Sequence, residues 1–158
     1  MGATSTAVVF EQPGEMSLRP VELPEPQSTD CVVEVQWTGI STGTERLLWD
    51  GRMPPFPGLA YPLVPGYESV GNVVACGEEA RLDVGQRVFV PGSRGFTDVR
   101  GLFGGAARSL VVPAERLVPL RTEMESTGVL LALAATACHA VRRIEDLGPP
   151  ELIVGHGA

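Results

Sequence analysis

The chain has 158 residues, the length of one domain, and its 12 Lys and Arg against 19 Asp and Glu give a net charge of −7. A chain this acidic repels phosphate backbones and anionic lipid headgroups, which disfavours nucleic-acid binding and docking on membranes. The apolar fraction of 44% excludes a disordered chain, and 19 Gly with 14 Pro argue against a helical bundle.

The N-terminal part of the chain is patterned as short strands separated by turns rich in Gly and Pro. Apolar runs and apolar–polar alternation predict strands at Ala7–Phe10, Val32–Trp37, Ser69–Ala75, Arg87–Val90 and Ser109–Pro113. Strands at this spacing favour a sandwich or a small barrel. We therefore expect a mainly β fold with some α structure.

A proline-rich segment, residues 51–66, interrupts these strands. Because proline fixes φ and lacks an N–H, the segment is expected to be neither a helix nor a central strand. Its apolar side chains, Met53, Phe56, Leu59 and Tyr61, leave two interpretations open. The segment is either a packed surface loop or the wall of a pocket for a large, flat, apolar ligand.

The last part of the chain has a different pattern. Thr122–Glu125 fits the T-x-x-E capping box of a helix start, and residues 148–150 (GPP) would end that helix. The apolar run 152–154 then leads into Gly155-x-Gly157, the opening of the G-x-G-x-x-G turn that brings a backbone close to pyrophosphate. A simple strand-terminal turn is the alternative. We expect a dinucleotide-binding domain cut off after its first strand.

Cysteine spacing and the N-terminus bear on the cellular location. Cys31, Cys76 and Cys138 are scattered and odd in number, so the sequence signals neither a structural zinc site nor a disulfide framework. Residues 1–10 lack the basic region and apolar stretch of a signal peptide. The longest apolar run, 129–138, is shorter than the ~20 residues that span a bilayer. These features favour the reducing cytoplasm and no membrane insertion.

Several motifs together resemble the medium-chain dehydrogenase/reductase superfamily over nearly the whole chain. The matching segments are 39–45 (GISTGTE), 65–71 (PGYESVG), 83–88 (DVGQRV), 104–107 (GGAA) and 136–140 (TACHA). The resemblance implies a GroES-like barrel followed by a Rossmann domain that binds NAD(P). On that plan, residues 1–122 are the GroES-like substrate domain, 123–150 a connecting helical segment, and 151–158 the first strand and G-x-G of a truncated Rossmann domain.

Two stretches, 40–49 and 51–71, are more similar still to a branch of the superfamily that acts on bacteriochlorophyllides. That likeness implies oxidation of the secondary alcohol of a 1-hydroxyethyl substituent to an acetyl group, with NAD as hydride acceptor and a tetrapyrrole as the small-molecule partner. Family members often pair through the nucleotide-binding domain, which leaves a homodimer open. We expect the 158 residues alone to be inactive, because the pyrophosphate site and most of the nicotinamide site would be missing.

The resemblance also bears on zinc. In zinc-dependent relatives the catalytic metal is held by two Cys, a His and a Glu, whose positions here carry Ser41 or Thr42, Ala132, Tyr67 and Glu68. Catalytic zinc needs about three protein ligands of the His, Cys or carboxylate type. We therefore expect no zinc, and with it no Lewis acid to favour the alkoxide.

Without zinc, a side chain must accept the alcohol proton as the hydride leaves. Tyr67 stands at a metal-ligand position, and Thr44 aligns with a hydroxyl that relays protons in zinc-dependent relatives. Glu45 and Glu68 are acidic candidates, because two crowded carboxylates raise at least one pKa. Each also has a structural alternative, such as a core aromatic for Tyr67 or a helix-start residue for Glu45. The sequence does not rank the four as the general base.

Other residues are assigned to ligands by the same resemblance. Thr136 matches a residue beside the nicotinamide, and Gly155 and Gly157 are the expected pyrophosphate contacts. For the macrocycle we expect a substrate-binding set in and beside the proline-rich segment: Thr42, Trp49, Arg52, Phe56 and Tyr61. Within that set Arg52, like Arg46 nearby, could pair with the substrate's propionate or be a solvated surface arginine.

Two other functions stay open at this point. A zinc-independent quinone or enoyl reductase of the same superfamily would share the barrel and reduce C=C bonds with NADPH. A free-standing GroES-like barrel would instead serve as a tetrapyrrole-binding module. The interrupted G-x-G argues against the module, and a substrate screen separates the two enzymes. The choice between NAD and NADP depends on residues that the sequence does not contain.

Overall fold

The computed structural model describes residues 2–144, 148 and 151–152, which are built mainly from antiparallel strands. One sheet is the hairpin of β1 (Thr4–Gln12) and β2 (Glu15–Glu22). The second sheet contains β3 (Asp30–Thr38), β4 (Ser69–Cys76), β5 (Arg87–Val90), β6 (Ser109–Pro113) and β7 (Val118–Pro119), in the order β6-β3-β4-β5-β7. The helices are α1 (Thr44–Trp49) and α2 (Leu131–Arg143), with 3₁₀ turns at Ala114–Arg116 and Ser126–Leu130.

The predicted strands all form, and two of them, β5 and β6, have the predicted bounds. Their inward-facing side chains make the main cluster of the core, most of it Val, Leu and Ala from every strand except β7. β-branched residues suit this environment because they pack well on a pleated surface. The mainly β prediction with some α structure is therefore confirmed.

The strand β2 is absent from the sequence prediction for an identifiable reason. Its apolar residues Met16 and Leu18 alternate with polar ones but face solvent, and Pro20 inside the segment argues against a strand. Proline is tolerated because β2 pairs with β1 alone, at the edge of a two-stranded sheet. The hairpin turn carries Gly14 at a φ of +78°, a left-handed conformation that glycine adopts without strain.

A second, smaller apolar cluster lies under the proline-rich segment. We call it the site cluster; its buried members are Phe10, Leu48, Leu63 and Leu102. The segment 51–66 contains neither a helix nor a named strand, as expected, and an isolated bridge between Leu63 and Phe10 attaches it to β1. Met53, Leu59 and Tyr61 pack against the cluster, so much of the segment's apolar surface serves the core.

The capping-box prediction at Thr122–Glu125 is wrong. This segment forms a turn, and α2 begins at Leu131 after a 3₁₀ turn, with no side-chain cap. The reason is tertiary packing: Gly128 of the 3₁₀ turn lies so close to Val70 of β4 that a Cβ there would be 2.9 Å from the valine side chain. Within the described residues, α2 contains no buried residue.

The expectation of unpaired cysteines is wrong for two of the three. Cys31 on β3 and Cys76 on β4 form a disulfide, and their Cα atoms are 4.1 Å apart. The two residues are 45 positions apart in sequence but directly opposite in the strand register, which spacing alone does not reveal.

Gly155 and Gly157 lie outside the described residues. The described helices are each too short or too polar to cross a membrane.

Candidate functional site

Two segments that are distant in sequence meet at a pair of hydroxyl groups. The phenol of Tyr67 donates a hydrogen bond to Oγ1 of Thr44, at a distance of 3.2 Å. Thr44 begins α1, and Tyr67 lies just before β4. The Tyr67 ring packs edge-to-face on Phe103, with ring centroids 5.3 Å apart. Aromatic pairs of this geometry stabilise each other, so Phe103 holds the phenol in place.

Two carboxylates lie close to this pair in sequence and are nearly buried. Glu45 and Glu68 are each 7% exposed. The carboxylate of Glu45 accepts a hydrogen bond of 2.9 Å from the backbone N–H of Ser41. Burial raises the pKa of Glu45, and the neighbouring Glu68 carboxylate adds a smaller increase. Burial also raises the pKa of Glu68. The expectation of raised pKa values therefore holds, but desolvation rather than crowding is the main cause.

The GISTGTE and PGYESVG motifs are joined through a glycine. The backbone N–H of Gly39 donates to the carbonyl of Glu68 at 2.7 Å. A Cβ at Gly39 would lie 2.8 Å from Oε2 and 3.0 Å from Cβ of Glu68, so a side chain at this position would displace the Glu68 side chain. The Glu68 carboxylate has no hydrogen-bond partner within the described part of the chain. Its free oxygens can therefore accept a proton or a ligand donor.

An apolar groove lies between the β1–β2 hairpin and α1. We call it the α1 groove; it has a volume of about 430 Å³. Its lining residues are Phe10, Met16, Ile40, Ser41, Thr42, Glu45, Arg46 and Trp49. Trp49 packs edge-to-face on Phe10 with centroids 5.8 Å apart. Thr42 and Trp49, two of the residues assigned to the substrate, thus share one surface.

The other residues assigned to the substrate lie elsewhere. Tyr61 packs on the site cluster and its hydroxyl donates to the carbonyl of Leu48; burial raises the pKa of this phenol. Tyr61 therefore has a structural contact and does not line the α1 groove. Phe56 also lies outside the groove lining. Arg52 pairs with Asp50 at the surface, whereas Arg46 does line the groove.

The structure does not bring Thr136 to the hydroxyl pair. Thr136 lies exposed on α2, and its hydroxyl donates to the carbonyl of Ala132 at 3.0 Å.

Phe103 and Met16 are the site residues that sequence reasoning missed. Phe103 comes from an irregular loop at a φ of +73°, and Met16 faces solvent on the unpredicted strand β2.

The donor set does not fit a catalytic zinc ion. Within residues 2–144, 148 and 151–152, no three side chains of the His, Cys, Asp or Glu type come together to hold a metal. The positions used in zinc-dependent relatives offer a hydroxyl at Ser41 or Thr42, a phenol at Tyr67 and a methyl group at Ala132. Glu68 is then the single ordinary zinc ligand among them.

Comparison with known proteins assigns the chain to a family. Residues 27–122 match the alcohol dehydrogenase GroES-like domain. The chain belongs to this family. It is 51% identical to the 2-desacetyl-2-hydroxyethyl bacteriochlorophyllide A dehydrogenase of Cereibacter sphaeroides, over 97% of the chain and 49% of that protein. It is 48% identical to the Rhodobacter capsulatus protein of the same name, over 95% of the chain and 48% of that protein. The chain therefore spans about half the length of these curated relatives.

Solved structures agree with this assignment. A 2R,3R-butanediol dehydrogenase from Bacillus subtilis superposes with a TM-score of 0.71 and 25% identity, covering 87% of this chain and 47% of that one. An alcohol dehydrogenase from Escherichia coli complexed with NADH superposes with a TM-score of 0.72 and 23% identity, covering 91% of this chain and 47% of that one. The latter likeness shows the fold alone, and the GroES-like prediction is confirmed.

Proposed function

We propose that this chain is the substrate-binding part of a zinc-independent, NAD-dependent dehydrogenase that oxidises the 1-hydroxyethyl substituent of a bacteriochlorophyllide to an acetyl group. The observation that carries the proposal is the 51% identity, over 97% of the chain, to a protein named for a hydroxyethyl bacteriochlorophyllide. The domain plan is part of it: residues 1–122 for substrate, 123–150 as connection and 151–158 opening the nucleotide-binding domain. We further propose a homodimer in the cytoplasm, a location that the Cys31–Cys76 disulfide does not itself favour, since disulfides are rare in reducing compartments.

The hydroxyl pair and the two carboxylates suit different steps of proton transfer. NAD, when bound, supplies the hydride acceptor. We infer that the substrate alcohol donates its hydrogen bond to the Tyr67–Thr44 pair, whose hydroxyls are 3.2 Å apart and can relay a proton. Glu45 or Glu68 then takes that proton. A pKa raised by burial brings a carboxylate closer to neutral pH, where proton acceptance is most efficient.

The test is Tyr67→Phe in the protein expressed from its complete reading frame. Loss of the phenol should lower kcat for hydroxyethyl bacteriochlorophyllide by ~10²–10⁴-fold, with substrate affinity nearly unchanged. NADH formation and pigment chromatography measure the reaction. Tyr61→Phe is the matched control. Its hydroxyl bonds to Leu48 in the core, so it should cost about 1 kcal/mol of stability and leave kcat within about twofold.

Other outcomes would contradict parts of the proposal or support the alternative function. If Tyr67→Phe and Glu68→Gln both retain wild-type kcat, the proton route is wrong. Reduction of quinones with NADPH, without alcohol oxidation, would instead support the reductase function. Elemental analysis that finds stoichiometric zinc would contradict zinc independence. A comparison of NAD with NADP as oxidant tests the cofactor.

A further inference from the structure

The α1 groove gathers large apolar side chains that a folded chain would ordinarily cover. Met16 is 58% exposed, Ile40 79% and Trp49 37%, and all three line this groove with Phe10. Single exposed apolar residues are common on protein surfaces, but a contiguous set marks a binding surface. These residues come from β2, from the loop before α1 and from the end of α1.

The groove is held in shape by backbone contacts. The N–H of Gly14, in the hairpin turn, donates to the carbonyl of Trp49 at 2.9 Å. The edge-to-face contact between the Phe10 and Trp49 rings joins β1 to α1 within the groove. The hairpin and α1 are therefore attached to each other, and the groove exists before a ligand arrives, as most small-molecule sites do.

A cation stands at the rim of this apolar surface. Arg46 lines the groove, and its side chain is 74% exposed. Its ion pair within the described residues is a contact of 3.7 Å with Asp50, which Arg52 also contacts. A guanidinium has five N–H donors, so Arg46 retains donors for a carboxylate. The groove thus combines flat apolar walls with one charge-assisted hydrogen-bonding group.

The groove is also bordered by the segment that carries Thr44. Ser41, Thr42 and Glu45 line it, and Thr44 lies within the same short segment. The groove volume of about 430 Å³ is within the range of small-molecule sites.

We propose that the α1 groove binds the macrocycle of a carboxylate-bearing tetrapyrrole, with Met16 and Ile40 as its walls and Arg46 paired with the ring's propionate. This assignment rests on the proposed function. It replaces the wall expected on the proline-rich segment with one made by the hairpin and α1. The occupant follows from complementarity, since a flat apolar ring with one carboxylate matches apolar walls with one rim cation. The net charge of −7 disfavours an anionic lipid surface there.

The test uses the protein from its complete reading frame and two probes without NAD: hydroxyethyl bacteriochlorophyllide a and its propionate methyl ester. Kd is measured from the shift of the ring's absorption bands. Met16→Glu should weaken binding of both probes at least tenfold. Arg46→Gln should weaken binding of the free acid about tenfold and leave the ester unchanged. Val84→Glu, at another exposed apolar position, and Arg121→Gln are the matched controls.

The outcomes separate this assignment from the proposed function. If the enzyme oxidises the pigment and both groove variants keep wild-type Kd and KM, the groove assignment is overturned while the function stands. If the pigment binds with the expected variant pattern but is never oxidised, the function fails and the groove assignment holds. Equal weakening of acid and ester by Arg46→Gln overturns the propionate contact. Met16→Gln repeats the test if Met16→Glu lowers the melting temperature.

Two further measurements identify a different occupant. Sedimentation would reveal an oligomer that Met16→Glu dissociates, and flotation with neutral vesicles would reveal membrane binding that the same variant abolishes. Either result, together with an unchanged Kd for the pigment, overturns the assignment. The assignment is supported if Met16→Glu weakens pigment binding, leaves the molecular mass in solution unchanged, and the protein does not float with the vesicles.

Discussion

The two apolar clusters of this molecule differ in how they are held together. The main cluster is built on strands that also pair through their backbones, with Leu110 and Val33 at 0% exposure. The site cluster has four buried residues, contributed by β1, α1 and irregular segments. The main sheet is therefore held by strand pairing as well as by side-chain packing, whereas the position of α1, and hence of Thr44, depends on the packing of Leu48 in the site cluster.

The largest expected effect comes from the main sheet. In Gly71→Ala the new Cβ would lie 2.3 Å from the backbone oxygen of Glu34 and 2.8 Å from the Val33 side chain. Because β4 is paired on both sides, neither strand can retreat. We expect a loss above about 4 kcal/mol, measured by urea unfolding, or failure to fold. Asn72→Ala, one position along, should cost about 1 kcal/mol or less. A Gly71→Ala protein of wild-type stability would contradict the close packing of β4 against β3.

A smaller effect separates the two clusters directly. Leu110→Ala and Leu48→Ala each remove a side chain that is at most 1% exposed, and each should cost about 2–5 kcal/mol. Only Leu48→Ala should also lower kcat/KM, because the Leu48 side chain packs α1, which carries Thr44, onto the site cluster. Leu18→Ala, at an exposed position, should stay within about 0.5 kcal/mol. Equal kinetic losses in the two buried variants would show that the clusters act as one.

The smallest effect concerns the buried carboxylate on α1. Burial raises the pKa of Glu45 above its ordinary value of 4.5, so the folded state binds the proton more tightly than the unfolded state. Its contribution to stability is then complete below pH 4.5 and is lost as pH rises through the raised pKa. Glu45→Gln should therefore gain stability relative to wild type as pH rises, with no gain at low pH.

Thermal unfolding across this pH range measures the effect. Glu125→Gln makes the same change at an exposed residue and serves as the control. A Glu45→Gln variant that loses stability at neutral pH would mean that the ionised carboxylate contributes more through its bond to Ser41 than it loses by burial.

Much of the sheet was predictable because its strands carry their own signal. The runs at Arg87–Val90 and Ser109–Pro113 are apolar, short and bounded by Gly or Pro, and both form strands with those bounds. The short helix α1 and the strand β2 were not predictable in this way. A helix of this length shows less than two full turns of periodicity, and β2 exposes its apolar face.

Of the candidate site, the sequence supplied the chemistry but not the arrangement. Tyr67, Thr44, Glu45 and Glu68 stand out by motif, because their residue types suit proton transfer. Their pairing was hidden, since the Tyr67–Thr44 hydrogen bond spans 23 positions of the chain. The assigned wall shows the limit of this reasoning: Tyr61 is apolar and nearby in sequence, yet its side chain belongs to the core.

Local pattern was sufficient for the fold class, for the strands with continuous apolar runs and for the irregular proline-rich segment, because backbone and burial preferences act over a few residues. Long-range packing set the rest: the disulfide register of Cys31 with Cys76, the start of α2 and the groove between the hairpin and α1. Each of these features depends on contacts between residues that are far apart in the chain. Local sequence patterns do not specify which distant residues come into contact.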